Sequence, residues 1–89
     1  MASALRFSFK NSVGKKVIDS QMAIAIVTAE CLFGEAKVRL NAGCIVSKNK
    51  AVIDVSNKVG KYIAQIFTGL MTKQIGEDKF TVDKVKPGT

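Results

Sequence analysis

Met22-Ala23-Ile24-Ala25-Ile26-Val27 decides the fold, because its spacing fits two conformations. Strict alternation would make it a strand. As a helix it would place Ile18, Met22, Ala25, Ile26, Ala29 and Phe33 on one face. Length and capping favour the helix: the pattern runs to about Phe33, and Asp19 and Ser20 are both good N-caps. A second stripe of Ile24, Val27 and Cys31 makes this helix apolar around much of its circumference. Such a stripe meets another copy, meets a partner helix, or is covered by a later segment, and cover by a later segment is the expectation.

Upstream, Leu5-Arg6-Phe7-Ser8-Phe9-Lys10 alternates, with Leu5, Phe7 and Phe9 on one side and Arg6, Ser8 and Lys10 on the other. This predicts a half-buried strand. A polar loop over 11–16 leads to the helix. After a turn at Gly34, Ala36 to Asn41 alternates again, with Val38 and Leu40 inward and Lys37, Arg39 and Asn41 outward. Asn41-Ala42-Gly43 suits a hairpin turn, Cys44 to Ser47 resumes as strand, and Ser47 to Lys50 is an exposed polar link.

Beyond this point two readings stand. In one, Ala51 to Ser56 is a strand and a helix runs from Asn57 through Met71. In the other, Ala51 to Asn57 is a short helix and Lys61 to Thr68 is a strand bracketed by Gly60 and Gly69. The tail from Thr72 is equally open, since Phe80, Val82 and Val85 suit either a strand or a helix. Both readings give an α+β fold, a small open-faced sandwich that starts β-α-β-β. Its antiparallel sheet carries two or three helices on one face. One domain spans residues 1–89, with a frayed tail expected at 86–89.

The composition is globular, at 47% apolar and 24% charged residues. Fourteen lysines and arginines face seven carboxylates, a net charge of +7, and there is no histidine. The charge favours an acidic partner, while the missing imidazole removes the common catalytic triads and dyads. The carboxylates Asp19, Glu30, Glu35, Asp54, Glu77, Asp78 and Asp83 are scattered, and no Gly-rich stretch fits a phosphate-binding fingerprint. The chain is therefore expected to be non-catalytic, with no cofactor. Cys31 and Cys44 sit in apolar runs and are expected to be buried, inert thiols rather than metal ligands. No apolar stretch is long enough to span a bilayer, and the first sixteen residues lack a signal-peptide core. With two cysteines, this favours a soluble protein of the reducing cytoplasm, without a membrane partner.

If the first two strands share a sheet, Arg6, Lys10, Lys37 and Arg39 fall on one face. Lys15, Lys16, Lys48 and Lys50 extend that basic patch through neighbouring loops. Such a patch would bind nucleic acid by counterion release. Phe7 and Phe9 point inward by the same alternation, so base stacking is not expected.

The order of elements and the stretch Ile18-Asp19-Ser20-Gln21-Met22-Ala23-Ile24 resemble the HPr family of histidine phosphocarriers, whose helix 1 opens Gly-Leu-His-x-Arg-Pro-Ala-Ala. Val27, Phe33, Gly43, Gly60 and Gly69 fall where similar apolar and turn residues occur in that family. Asp19 stands in place of the phosphorylated histidine, Gln21 in place of the arginine and Met22 in place of the proline. The resemblance thus implies the fold and a protein-docking role around Asp19, Ser20, Gln21 and Met22, without phosphotransfer. A continuous helix over 57–71 behind a strand at 51–56 would contradict the alignment. The sequence reads as a non-catalytic protein-interaction or regulatory module. Sequence-independent nucleic-acid binding is the alternative, and a homo-oligomer is a further reading.

Overall fold

Strand β1 (Ala4–Phe9) follows directly from its alternation: Phe7 and Phe9 are buried, and Arg6 and Ser8 are only half so. A computed structural model describes residues 3–85; the tail expected to fray at 86–89 lies outside them. After β1 come helices α1 (Lys15–Phe33) and α2 (Glu35–Asn41), strands β2 (Cys44–Ser47) and β3 (Lys50–Asp54), and helix α3 (Lys58–Ile75). A single 3-10 turn (Glu77–Lys79) then leads into β4 (Phe80–Val85).

The sheet has the order β2-β3-β1-β4, with every neighbouring pair antiparallel. β1 and β2 are therefore parallel with β3 between them, and β3 and β4 are parallel with β1 between them. This is a doubled split β-α-β arrangement. The preferred right hand of both crossovers carries α1 and α3 to the same face of the sheet. The α+β open-faced sandwich expected from the sequence is the observed fold.

The core lies between that face and the two long helices. From β1 come Phe7 and Phe9, from β3 Ala51 and Ile53, from α1 Ile18, Met22, Ala25 and Ala29, and from α3 Val59, Ile63, Phe67 and Met71. Phe67 stands edge-on to Phe7, with ring centroids 5.0 Å apart at 88°. Phe80 of β4 closes the cluster 5.6 Å from Phe9. The start of α3 is fixed twice. Asn57 caps it by accepting from the Gly60 amide at 2.8 Å, and its side-chain amide donates to the Asn41 carbonyl at 2.9 Å, tying α3 to the end of α2.

Three expectations change. Helix α1 begins at Lys15, behind an extended Gly14, so Asp19 lies within the helix instead of capping it. The segment Ala36 to Asn41 is helix α2, not a strand, and Leu40, expected inward, is 86% exposed. Gly34, with φ of +92°, ends α1 and redirects the chain into α2; its amide donates to the Glu30 carbonyl at 2.9 Å. The hairpin turn therefore lies at Lys48 and Asn49, between β2 and β3, and not at 41–43. Of the two readings beyond residue 50, the strand followed by a long helix is the observed one. The unbroken α3 behind β3 contradicts the alignment to the HPr pattern through this segment.

Gly60 is where α3 touches the end of β3. A Cβ there would stand 1.7 Å from the Asp54 carbonyl oxygen, whereas one at Gly69 would meet nothing within 4 Å. Gly60→Ala is expected to destabilise by about 3 kcal/mol through backbone displacement. Gly69→Ala on the exposed side of the same helix should stabilise by about 1 kcal/mol. Urea unfolding followed by circular dichroism compares the two, and equal effects at both sites would contradict the close approach.

Candidate interaction surface

The two long helices lie side by side on the sheet, yet their outward faces differ in chemistry. On α3 the exposed positions are polar or small: Lys58, Lys61, Gln65, Gly69, Lys73 and Gln74. On α1 the face turned from the core presents Ser20, Ala23, Ile24, Val27 and Cys31, all exposed and none charged. Ile24 retains 47% and Val27 56% of its exposure. The cover expected from a later segment is absent among the described residues. A helix apolar on two opposite faces is characteristic of one packed on both sides.

Part of the stripe was visible in the sequence as Ile24, Val27 and Cys31. Ala23 and Ser20 join it only once the buried face is fixed by Ile18, Met22, Ala25 and Ala29. Of the four residues expected to dock a partner, Asp19 and Ser20 are exposed and Gln21 is half-buried. Met22 is 4% exposed and belongs to the core, so it is unavailable for contact. Asp19 forms an ion pair with Lys15 one turn earlier, at 2.9 Å.

The basic residues do not form one sheet face. Lys37 and Arg39 lie on α2, where the Lys37 ammonium stands 5.4 Å from the centre of the Phe33 ring and Arg39 pairs with Glu35. Arg6 does lie on the open side of the sheet, 3.7 Å from Asp83, and its buried Nε finds no hydrogen-bond partner. The described residues of that open side include no aromatic, because Phe7, Phe9 and Phe80 all pack toward the helices.

Five of the eight lysines and arginines expected in the patch instead fall at one end of the molecule. Lys10 leaves β1, Lys15 and Lys16 open α1, Lys48 lies in the β2–β3 turn, and Lys50 follows it. An open cavity of about 540 Å³ lies there between Asn11, Val13, Gly14, Lys15, Lys48 and Asn49. The two loops are joined by Asn49 donating to the Asn11 side chain at 3.3 Å and by the Phe9 amide donating to the Asn49 carbonyl at 2.8 Å. Lys79 is added to this end by the bond from the Lys10 amide to its carbonyl, at 2.9 Å. No sequence signal pointed to Lys79, since it depends on where β4 pairs.

Both cysteines are free, and neither is fully buried. Cys31 is exposed on the α1 stripe, against the expectation of an inert core thiol. Cys44 is half-buried on β2, where burial and then the nearby Asp54 carboxylate push its thiol up to about 11. Asp54 is itself held below the ordinary carboxylate range by hydrogen bonds from the Ser56 side chain and backbone. Among the described residues no three Cys, Asp or Glu side chains gather as a metal site, and no helix is long and apolar enough to cross a membrane. No protein-family model matches the chain, and no curated protein matches it.

Because the thiolate is the reactive form, alkylation at neutral pH should label Cys31 quickly and Cys44 slowly. The Cys44 rate should climb with pH and reach about half its limiting value near 11, where its thiol is half ionised. Peptide mass spectrometry separates the two sites, and equal rates at neutral pH would contradict the difference in their surroundings.

Proposed function

We propose that this chain is a non-catalytic interaction module that docks another protein on the outward face of α1. The observation that carries this reading is the uncharged stripe of Ser20, Ala23, Ile24, Val27 and Cys31, set beside an α3 whose exposed face is polar. Completing the burial of Ile24 and Val27 would contribute about 1 kcal/mol per side chain. Among the described residues, none covers them from water. The stripe is narrow and continuous along the helix, which suits a partner helix laid along it.

Val27→Lys tests this reading, because the site is exposed and the fold should tolerate the change. The substituted chain should melt within a few degrees of the natural one while losing the proteins that the natural chain captures from its host. Capture of the same proteins by both would remove α1 as the docking face.

A second reading is sequence-independent binding to the phosphate backbone of nucleic acid. It is favoured by Lys15 and Lys48, which line one opening, and by exposed Lys10, next in the chain to its lining residue Asn11. Three such phosphate contacts would make affinity fall with about the third power of salt concentration. Titration of labelled DNA and RNA at low and moderate salt measures that dependence. Lys48→Glu should weaken the binding on every sequence alike. Absence of binding at low salt would remove this reading and leave the first untouched.

A further inference from the structure

We infer that the occupant of the α1 face is a second copy of this chain, its α1 lying antiparallel to the first. The inference rests on the docking reading and names the partner. Its first support is spacing. Val17, Ser20, Ile24, Val27 and Cys31 alternate steps of three and four residues, the seam of a short coiled coil. From Ser20 onward the spacing is the same in both directions. Reversing the helix superposes Ile24 on Val27 and Ser20 on Cys31. The seam is therefore complementary to itself about a two-fold axis between Ile24 and Val27, as an isologous interface requires. Two β-branched side chains meet at the centre, and a small side chain faces a small one at either end.

The second support is charge. Lys16 lies in the first turn of α1 and Glu30 in the last, and neither takes part in an ion pair among the described residues. Antiparallel pairing brings the lysine end of each helix toward the glutamate end of the other and opposes the helix dipoles favourably. Parallel pairing would set lysine against lysine. A partner of uniformly acidic character would leave Glu30 facing like charge. The net charge of +7 on each copy opposes association, but much of it lies off the seam, on the outward face of α3 and at the loop end. Charges farther apart than about 10 Å are largely screened at moderate salt.

A seam of two heptads is smaller than the roughly 800 Å² per partner of a standard interface, so a dissociation constant of about 0.1 mM is expected. Sedimentation equilibrium of the full chain should therefore show a monomer–dimer equilibrium at high concentration. The dimer should persist at high salt and be lost on Val27→Lys. Ser20→Cys in a Cys44→Ala background tests the orientation. Positions 20 and 31 of one helix are about 16 Å apart along its axis, too far for a bond within one chain. Mild oxidation should therefore yield a covalent dimer that joins position 20 of one copy to Cys31 of the other.

Links of 20 to 20 or 31 to 31 as the main products would overturn the antiparallel arrangement. A natural chain that stays monomeric at millimolar concentration would overturn the second copy as occupant. In that case, loss of a captured protein on Val27→Lys would still uphold the docking reading. A dimer untouched by Val27→Lys would overturn the inference, since the association would then use another surface.

Discussion

The edge-on contact between Phe67 of α3 and Phe7 of β1 organises the molecule. β1 is a central strand, paired to β3 on one side and β4 on the other, so whatever holds its inner face holds the sheet. Phe67 lies against Phe7 at 5.0 Å and Phe9 at 6.1 Å, both nearly perpendicular. Perpendicular aromatic pairs add about 1 kcal/mol each beyond their area burial. They also orient α3, because the rings meet edge to face at only one rotation of the helix. With α3 fixed there, its first turn passes close to the end of β3, and only a residue without Cβ fits at Gly60.

That constraint determines what α1 can do. α3 contributes the bulky aromatic to the core, so the residues of α1 that enter the same layer are smaller: Ile18, Met22, Ala25 and Ala29. A helix so seated turns its opposite side straight into solvent. Stability of the monomer places no demand on that side, and polar residues would serve it as they serve α3. Ile24 and Val27 stand there instead. The proposed interface would supply a physical reason that the core does not.

The sequence carried the elements whose periodicity is long and one-sided, and it failed where a pattern was short. β1 was legible because Leu5, Phe7 and Phe9 leave no helical alternative over that length. α1 is legible because its pattern outlasts any strand, although its start is not: the capping chemistry of Asp19 and Ser20 points a turn too late, and Gly14 caps without a side-chain bond. α2 was misread. Its seven residues bury only Val38, and one buried position has no period. The expected basic face goes with it, since that face needs Lys37 and Arg39 on a strand. β4 stayed ambiguous because it is an edge strand whose middle residues are all exposed, and its identity rests on pairing with a strand some seventy residues earlier.

Net charge is a property of the chain, whereas recognition belongs to its surfaces, and here the two separate. The excess of lysine resides on the outer face of α3 and at the loop end, while the α1 seam between its terminal turns is neutral. A uniformly basic protein would repel its own copy along every approach. This one keeps an uncharged avenue along α1 with one lysine and one glutamate at its two ends. Antiparallel pairing along that avenue would carry the two lysine-rich ends to opposite extremes of a helix about 28 Å long. They would then face outward, away from each other. The positive charge and the apolar stripe are therefore compatible on one small domain, because the geometry of α1 keeps them apart.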